Sequence, residues 1–394
     1  MMHVKYLKST HSDIHFDDVS LAFLHELSKE LGEDVLIDDK EEVTEGSLPI
    51  FFIASGGTEE VFLKRYTSFK GPVYLLTMEK RNSLAASMEI LSYLQEKGIP
   101  GQILHGNIKE LASQLRIVSR IYSTKKKLQG LRLGVTEASD WLIASNIDAN
   151  LLKKKSGMEM IELSMEELCA QINKKEYPKC KFTEELARSS VSAPELEKAL
   201  HVYGGLRRIV DKYCLQGITV KCFDLLEPYQ TSGCLALAIL NAQGIHAACE
   251  GDQRSLLSMS VLAELTGEPV FMANPARLDL EQREIVLAHC VLPLNMPNKY
   301  KLMTHYESGI GLAISADLSK ERYTLFKMKE NFQDFVAMEG TLIENLHEEN
   351  MCRTQIRLQM DEPLEYFLTH PIANHHMVVK GEHKELIENF FRSF

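Results

Sequence analysis

The first two thirds of this 394-residue sequence alternate short apolar runs with helical stretches, and this alternation limits the fold more than any other feature. Apolar runs at residues 35–37, 50–54, 73–77 and 102–105 are typical of buried strands, and a helical pattern at 83–97 separates two of them. Strands that alternate with helices form parallel sheets covered by helices. The sequence therefore predicts an α/β unit at the start of the chain.

The alternation begins again at residues 131–135 and continues to about residue 265. The segment after the new strand holds the only tryptophan, Trp141, in a pattern that we interpret as a helix. A long helical section over 184–214 contains Ala193-Pro194 and Gly204-Gly205, which predict two interruptions. A second α/β unit follows from this pattern.

After Asn274 the pattern changes to short, β-prone segments separated by turns, which favours an antiparallel sheet or barrel. These segments are residues 285–292, 300–306, 311–316, 323–328 and 354–359. We predict an α/β protein with two Rossmann-like α/β domains and a β-rich, antiparallel barrel-like C-terminal domain. The predicted domains are residues 1–128, residues 129–266 carrying Glu250, and residues 267–394 carrying His289 and His375.

Charge and composition exclude several classes of function. The net charge is −11 and no stripe of Lys and Arg is interleaved with aromatic residues, which argues against nucleic-acid binding. No apolar run is long enough for a membrane span, and residues 1–5 lack the apolar core of a signal peptide. The eight cysteines form no Cys-x-x-Cys pair, so neither a disulfide framework nor a zinc ribbon is indicated. We expect a cytoplasmic protein without nucleic-acid or membrane partners.

Polar side chains follow several of the apolar runs directly. Glu250 comes after residues 244–248, Asn274 after 269–273 and His289 after 285–288. A side chain at the end of a buried strand has a rigid support and can still reach a cleft. Together with His375 or His376, these groups offer carboxylate, amide and imidazole ligands suited to a divalent transition metal. Each has a structural alternative, since Glu250 could end a strand in a salt bridge and His289 could be a buried core histidine.

An ordered set of motifs resembles the L-fucose isomerase/L-arabinose isomerase superfamily, and most closely its shorter fucose isomerase-like branch. The motifs are Asn82-Ser83-Leu84-Ala85-Ala86 with Glu89, Ser139-Asp140-Trp141, Ala248-Cys249-Glu250-Gly251-Asp252, Leu265-Thr266-Gly267, His289-Cys290 and Asn374-His375. The resemblance covers most of the chain in domain order. It implies a divalent metal, Mn²⁺ by preference with Co²⁺, Fe²⁺, Zn²⁺ or Mg²⁺ as alternatives, and a homo-oligomeric ring such as a hexamer.

The resemblance also implies roles for single residues. Glu250 takes the position of a metal-binding glutamate that acts in acid/base catalysis, and His375 that of the C-terminal metal-binding histidine. His289 is similar to an additional metal ligand of the arabinose isomerases. Asn274 stands where the family usually has a second metal-binding carboxylate. An amide oxygen can bind a metal but cannot carry a proton, so this departure leaves the second acid/base open.

These residues predict an aldose–ketose isomerase of a free or modified, for example sulfonated, monosaccharide that acts through an enediolate. The proposed catalytic residues are Glu250 and Asp252, with Asp279, His305 or a metal-bound water as alternatives for the second acid/base. The candidate substrate-binding residues are Tyr229, Gln230, His305, Glu307, Asn374 and His376. The alternatives are a metal-assisted sugar epimerase and a sugar-binding relative without turnover.

Overall fold

The computed structural model describes residues 1–9, 16–38, 48–66, 71–189 and 191–394. These residues divide into two compact units, Met1–Ser123 and Thr124–Arg392. The proposed domain boundaries near residues 128 and 266 stay predictions. Among the described residues, no helix is both long and apolar enough to cross a membrane.

The first unit is built on a parallel sheet with the strand order β2-β1-β3-β4-β5. The strands are β1 (Met2–Leu7), β2 (Val35–Ile37), β3 (Ile50–Ile53), β4 (Val73–Thr77) and β5 (Gly101–Leu104). The helices are α1 (Phe16–Leu31), α2 (Glu59–Tyr66), α3 (Ser83–Glu96) and α4 (Ile108–Leu128). This order is one of the common orders of a doubly wound α/β sheet.

Helices cover both faces of this sheet, which explains why its strands read as continuous apolar runs. Along β3, Phe52 packs into one core cluster with Leu27 of α1, while Phe51 packs into the other with Phe62 of α2. Every residue of β3 is buried. The predicted α/β character of the N-terminal region is confirmed.

The second unit begins with another parallel sheet, in the order β7-β6-β8-β9. Its strands are β6 (Arg132–Thr136), β7 (Glu159–Leu163), β8 (Gly217–Val220) and β9 (His246–Ala248). Its helices are α5 (Ala149–Ser156), α6 (Met165–Ile172), α7 (Lys181–Leu186), α8 (Ala193–Tyr213), α9 (Leu226–Tyr229), α10 (Cys234–Ala242) and α11 (Gln253–Thr266), with a 3₁₀ turn at Cys222–Leu225.

Two local predictions in this region were wrong. The segment around Trp141 is a loop that follows β6, and the next helix starts only after Asp148, whose carboxylate accepts hydrogen bonds from the first helical N–H groups. Helix α8 continues through Gly204 and Gly205 instead of breaking there. A Cβ atom at Gly204 would lie 1.9 Å from the carbonyl oxygen of Glu176, so close packing, rather than a helix end, requires this glycine.

The C-terminal part contains a closed antiparallel barrel with the strand order β10-β11-β16-β15-β14-β17. The barrel strands are β10 (Val270–Asp279), β11 (Glu284–His289), β14 (Arg322–Met328), β15 (Phe335–Leu346), β16 (Thr354–Met360) and β17 (His376–Lys380). A separate hairpin consists of β12 (Tyr300–Thr304) and β13 (Leu312–Ala316), and the helices are α12 (Tyr366–Thr369) and α13 (Lys384–Arg392). The predicted β-rich, barrel-like region is confirmed.

Candidate metal centre and substrate cavity

Strand pairing in the barrel brings three candidate site residues to one place. In the antiparallel pair β10–β11, Asn274 lies opposite Ala288, directly before His289 at the end of β11. In the pair β10–β17, Ala273 lies opposite His376, so His375 is next to Asn274 across the strands. Residues far apart in sequence, at 274, 289 and 375, therefore share one end of the barrel.

Glu250 reaches this place from the parallel sheet, since it follows β9 after Cys249. Its Oε1 atom lies 3.6 Å from Nε2 of His289 and 3.6 Å from Nε2 of His375. Glu250 and Gly251 both have left-handed backbone conformations, with φ of 63° and 68°. At Gly251 a Cβ atom would approach Glu137 O to 2.8 Å, so this sharp turn depends on glycine.

Glu250, His289 and His375 form the one group of acidic, histidine or cysteine side chains in the described chain whose ligand atoms are close enough to hold a metal ion, all within 4.8 Å of one another. Both Nε2 atoms are buried and have no hydrogen-bond partner among the described residues. Buried polar atoms without a partner are rare and need an explanation. A divalent cation at this point would supply the partner, and one carboxylate with two imidazoles suits Mn²⁺, Fe²⁺, Co²⁺ or Zn²⁺.

The two histidines differ in the partner of Nδ1. His375 Nδ1 lies 2.9 Å from Oδ2 of Asp252, so a carboxylate accepts its Nδ1 proton and Nε2 is the nitrogen that faces Glu250. In His289 the backbone N–H of Val291 donates to Nδ1 at 3.3 Å, so Nδ1 is an acceptor and Nε2 carries a proton. A cation would take the place of the proton on Nε2 of either ring.

Asp252 is fully buried and its oxygen atoms have partners inside the protein. Oδ1 caps helix α11 by accepting from Ser255 N at 2.7 Å, and Oδ2 accepts from the Ser255 hydroxyl at 2.6 Å as well as facing His375. These contacts are with Ser255 and His375, and Asp252 does not line the cavity beside Glu250 that is described below. This placement suits an orienting role.

The carboxylates and His375 influence one another's protonation. Burial favours the neutral form of Glu250, but the imidazole rings of His289 and His375, which face its carboxylate, outweigh burial and hold the pKa of Glu250 well below its usual value. Burial also opposes the charge of Asp252, yet the charge of Lys327 and the hydrogen bonds from His375 and Ser255 keep the pKa of Asp252 low. Burial would lower the pKa of His375, but its hydrogen bond with Asp252 and the facing carboxylate of Glu250 raise that pKa to about 9.

Glu250, one member of this group, lines a cavity of about 440 Å³. The polar residues that line it are Glu250, Asn274, Glu307 and Asn374. The apolar residues are Leu142, Trp141 and Phe223. This volume is within the range of small-molecule sites. The side-chain amide of Asn374 donates to Oδ1 of Asn274 at 3.1 Å, which holds the two amides side by side at the wall.

One side of the cavity is aromatic. The Trp141 ring stands edge-on to Phe223 at a centroid distance of 5.4 Å, and Phe223 stands edge-on to His305 at 5.7 Å. Trp141 and Phe223 lie after β6 and β8, at the carboxyl ends where parallel sheets bind ligands. Phe223 was not among the predicted site residues, although its position shortly after the apolar run at 218–220 could have indicated a place at the cavity. His305 is buried and its Nδ1 pairs with Ser308 Oγ at 2.9 Å.

A second cavity, of about 720 Å³, shares Asn274 and Asn374 with the first one. Arg277 and His376 also line it. His376 is buried, its Nδ1 donates to Asn374 O at 2.8 Å, and its Nε2 pairs with the Tyr366 hydroxyl at 3.0 Å. Burial and the nearby charge of Lys327 lower the pKa of His376 to about 3, so this ring is neutral.

The remaining predicted substrate-binding residues, Tyr229 and Gln230, donate hydrogen bonds to backbone carbonyl groups. The Tyr229 hydroxyl donates to Cys169 O at 3.1 Å, and the Gln230 side chain donates to Glu227 O at 3.0 Å. Neither residue lines the two cavities described above. Their contact with a substrate stays a prediction. Asp279, the alternative acid/base, is exposed and accepts from Gln282 N within the turn after β10.

Parts of the chain are similar to two proteins named as isomerases. No protein-family model matches the chain. A protein named sulfoquinovose isomerase from Clostridium sp. (strain MSTE9) is 27% identical over 166 residues, which cover 41% of this chain and 35% of that protein. Another protein of the same name from Alkalicoccus urumqiensis is 23% identical over 221 residues, which cover 53% of this chain and 49% of that protein.

The matched part of this chain thus spans about half or less of the length of these curated relatives. The low identity does not single out a branch of the fucose and arabinose isomerases. The chain is thus distantly similar to proteins named as sugar isomerases.

Proposed function

We propose that this protein is a metal-dependent aldose–ketose isomerase of a monosaccharide. The observation that carries the proposal is the meeting of Glu250, His289 and His375 at the cavity, with two buried imidazole nitrogens that lack a protein partner among the described residues. The relatives named as isomerases support the reaction class. Mn²⁺ is the proposed ion because the donor set is mixed oxygen and nitrogen.

Isomerisation moves a proton between two neighbouring carbons of the open-chain sugar. When bound, a divalent ion would polarise the substrate carbonyl and stabilise the negative charge that develops on the oxygens. Glu250 is held ionised by its histidine neighbours and lines the cavity, so it is placed to accept the carbon-bound proton and return it to the adjacent carbon. The edges of Trp141 and Phe223 would exclude water from one side of the sugar.

The second acid/base must move protons on the sugar hydroxyls. Asn274 cannot do so, and Asp252 is enclosed by His375 and Ser255. Glu307 is the other carboxylate among the lining residues of the 440 Å³ cavity. We therefore propose Glu307 for this role, with Asn274 and Asn374 binding hydroxyl groups or, for Asn274, the ion itself.

We propose a sulfonated monosaccharide as substrate, following the name of the relatives. The adjoining cavity offers Arg277, whose guanidinium matches the geometry of an oxyanion. Arg277 is now paired with Glu348 at 2.8 Å and is half exposed, so a sulfonate would have to compete with that carboxylate. We also propose a homo-oligomer, as the family resemblance implies, which light scattering can test.

The test is to incubate the purified protein with a panel of neutral and sulfonated aldoses, with and without Mn²⁺, and to follow the products by NMR. Metal-dependent formation of a ketose from a sulfonated aldose is the expected result. An epimeric aldose as the sole product would instead support metal-assisted epimerisation. Sugar binding without any turnover would identify a sugar-binding relative and contradict the proposed reaction.

A further inference from the structure

Lys327 is a lysine with no exposed surface, inside the barrel strand β14 between Phe326 and Met328. Taking an ammonium group out of water is costly unless it gains hydrogen bonds and a counter-charge. Burial and the neighbouring charge of Arg254 oppose the charged form, whereas Asp252 favours it, and the pKa of Lys327 falls to about 8. The group is therefore still charged over most of the neutral range.

The ammonium group is the far end of a continuous buried chain of hydrogen bonds. Lys327 Nζ donates to Ser255 Oγ at 2.7 Å, and the Ser255 hydroxyl donates to Asp252 Oδ2 at 2.6 Å. The same Oδ2 atom lies 2.9 Å from His375 Nδ1. Because lysine can only donate, the serine proton must point at Asp252, and Asp252 is left to accept from His375.

Lys327 also supplies a positive charge close to Asp252, so the buried carboxylate has a counter-charge behind it. Capping of helix α11 uses only Oδ1 of Asp252, which accepts from Ser255 N. The contacts of Oδ2 with the Ser255 hydroxyl, and through it with Lys327, are therefore not explained by the cap.

We propose that Lys327 is a positioning residue for the metal centre: through Ser255 and Asp252 it holds the proton of His375 on Nδ1 and leaves Nε2 facing Glu250. This inference rests on the proposed function only in taking His375 as a metal ligand. Lys327 itself touches neither substrate nor metal. Its removal should therefore weaken metal binding from a distance.

The test uses Lys327→Met, which keeps a long unbranched side chain, and Ser255→Ala, which breaks the chain but leaves the lysine in place. Lys5→Met is the matched control, because Lys5 is a buried lysine that pairs with Asp38 at 2.8 Å in the other unit. The free Mn²⁺ signal in electron paramagnetic resonance gives the dissociation constant. Both test variants should bind Mn²⁺ about 10- to 100-fold more weakly, and the control should bind as the wild type does.

A second measurement does not depend on metal binding or turnover. ¹H and ¹⁵N spectra of the metal-free protein at pH 7 report on the Nδ1–H group of His375, with His375→Gln used to assign the signal. The wild type should show a downfield Nδ1 proton that exchanges slowly with water, because Asp252 accepts from it. In Ser255→Ala that signal should move upfield and exchange faster. Unchanged ring signals together with wild-type Mn²⁺ affinity in Ser255→Ala would overturn the inference, even if Lys327→Met failed to fold.

These outcomes separate the inference from the proposed function. A wild type that binds Mn²⁺ but isomerises no sugar would contradict the proposed function while the Lys327 and Ser255 comparisons still decide the positioning role. An equal loss of Mn²⁺ affinity in Lys5→Met would show a general effect of destabilisation and would also overturn the inference.

Discussion

Nδ1 of His375 lies 2.9 Å from Oδ2 of Asp252, and both side chains are completely buried. This contact fixes the imidazole ring so that its other nitrogen faces Glu250. Carboxylates that orient histidine ligands in this way are common in metal sites. The pair links the first turn of α11 to the start of β17, and so joins the parallel sheet to the barrel at the candidate metal centre.

Asp252→Asn should weaken Mn²⁺ binding by about 10- to 100-fold, because a neutral amide holds the Nδ1 proton of His375 less firmly and can present its own NH₂ group instead. Isothermal titration of the metal-free protein measures the effect. Asp279→Asn is the control, since Asp279 is exposed in the turn after β10. A loss confined to Asp279→Asn would place the metal at that turn and contradict the assignment.

Glu250→Gln and His375→Ala should each remove most of the bound metal, because each deletes a ligand of the group. We expect a smaller loss in His289→Ala, since Nδ1 of His289 accepts from a backbone N–H, whereas the Asp252 carboxylate orients His375. Metal content after dialysis against trace Mn²⁺ gives the occupancy. His347→Ala, at an exposed histidine paired with Asp317, should retain full occupancy. Full occupancy in both Glu250→Gln and His375→Ala would exclude this centre.

Asn274→Asp should strengthen Mn²⁺ binding by about 1.4 kcal/mol, or tenfold, because it replaces a neutral oxygen ligand at the cavity wall with a charged one. Aspartate keeps the Oδ1 atom at this position, so the hydrogen bond from the Asn374 amide can still form. Titration calorimetry compares this variant with Asn374→Asp, which should gain less. An unchanged affinity in Asn274→Asp would show that residue 274 is not beside the ion.

The pKa of His375 predicts how pH acts on the metal-free protein. Its hydrogen bond with Asp252 and the facing carboxylate of Glu250 outweigh burial and raise this pKa to about 9, whereas an unfolded histidine has a pKa of about 6.5. The folded state thus binds this proton more tightly. Its stabilising effect is complete below about pH 6.5 and is lost as pH rises through about 9. Thermal melts of the wild type and of His375→Gln should therefore converge at high pH.

The same proton competes with a cation for Nε2 of His375. Between pH 6.5 and 8.5, Mn²⁺ affinity should increase by up to about tenfold per pH unit, with about one proton released for each ion bound. Calorimetry in buffers of different ionisation enthalpy counts the released protons. Affinity that does not change with pH would contradict a protonated His375 in the metal-free site.

Arg277→Gln should raise KM for a sulfonated aldose about tenfold and leave kcat nearly unchanged, because the guanidinium would bind a substituent distant from the reacting carbons. The corresponding neutral aldose should show no change. Arg392→Gln, at an exposed arginine of α13, is the control. Equal effects on the neutral and sulfonated sugars would exclude Arg277 as the anion-binding group.

Much of the fold could be predicted because its signals are local. The run at residues 73–77 became β4, Glu250 follows β9 and His289 ends β11 as expected. Asn274 does not end a strand, because β10 continues to Asp279 through its pairing with β11. The loop at Trp141 could not be predicted from its own residues, since it is held by contacts with distant segments, such as Arg254 Nε donating to Ala144 O at 2.9 Å.

The buried chain behind the metal centre was missed for a similar reason. Lys327 stands 72 positions after Ser255, and only the fold brings them together. A lysine inside an apolar, β-prone run was nevertheless a signal, because such a charge requires a partner. The partner itself is not encoded near it in sequence.

At Glu250 a strained backbone carries a stabilising side chain. A residue other than glycine in this left-handed conformation costs about 1–2 kcal/mol, which Glu250→Gly would relieve. The same substitution would delete the carboxylate that faces both histidines and would leave His375 with one neighbouring carboxylate instead of two. Backbone strain and ionic contact therefore offset each other at the residue that we propose for the chemistry of the site.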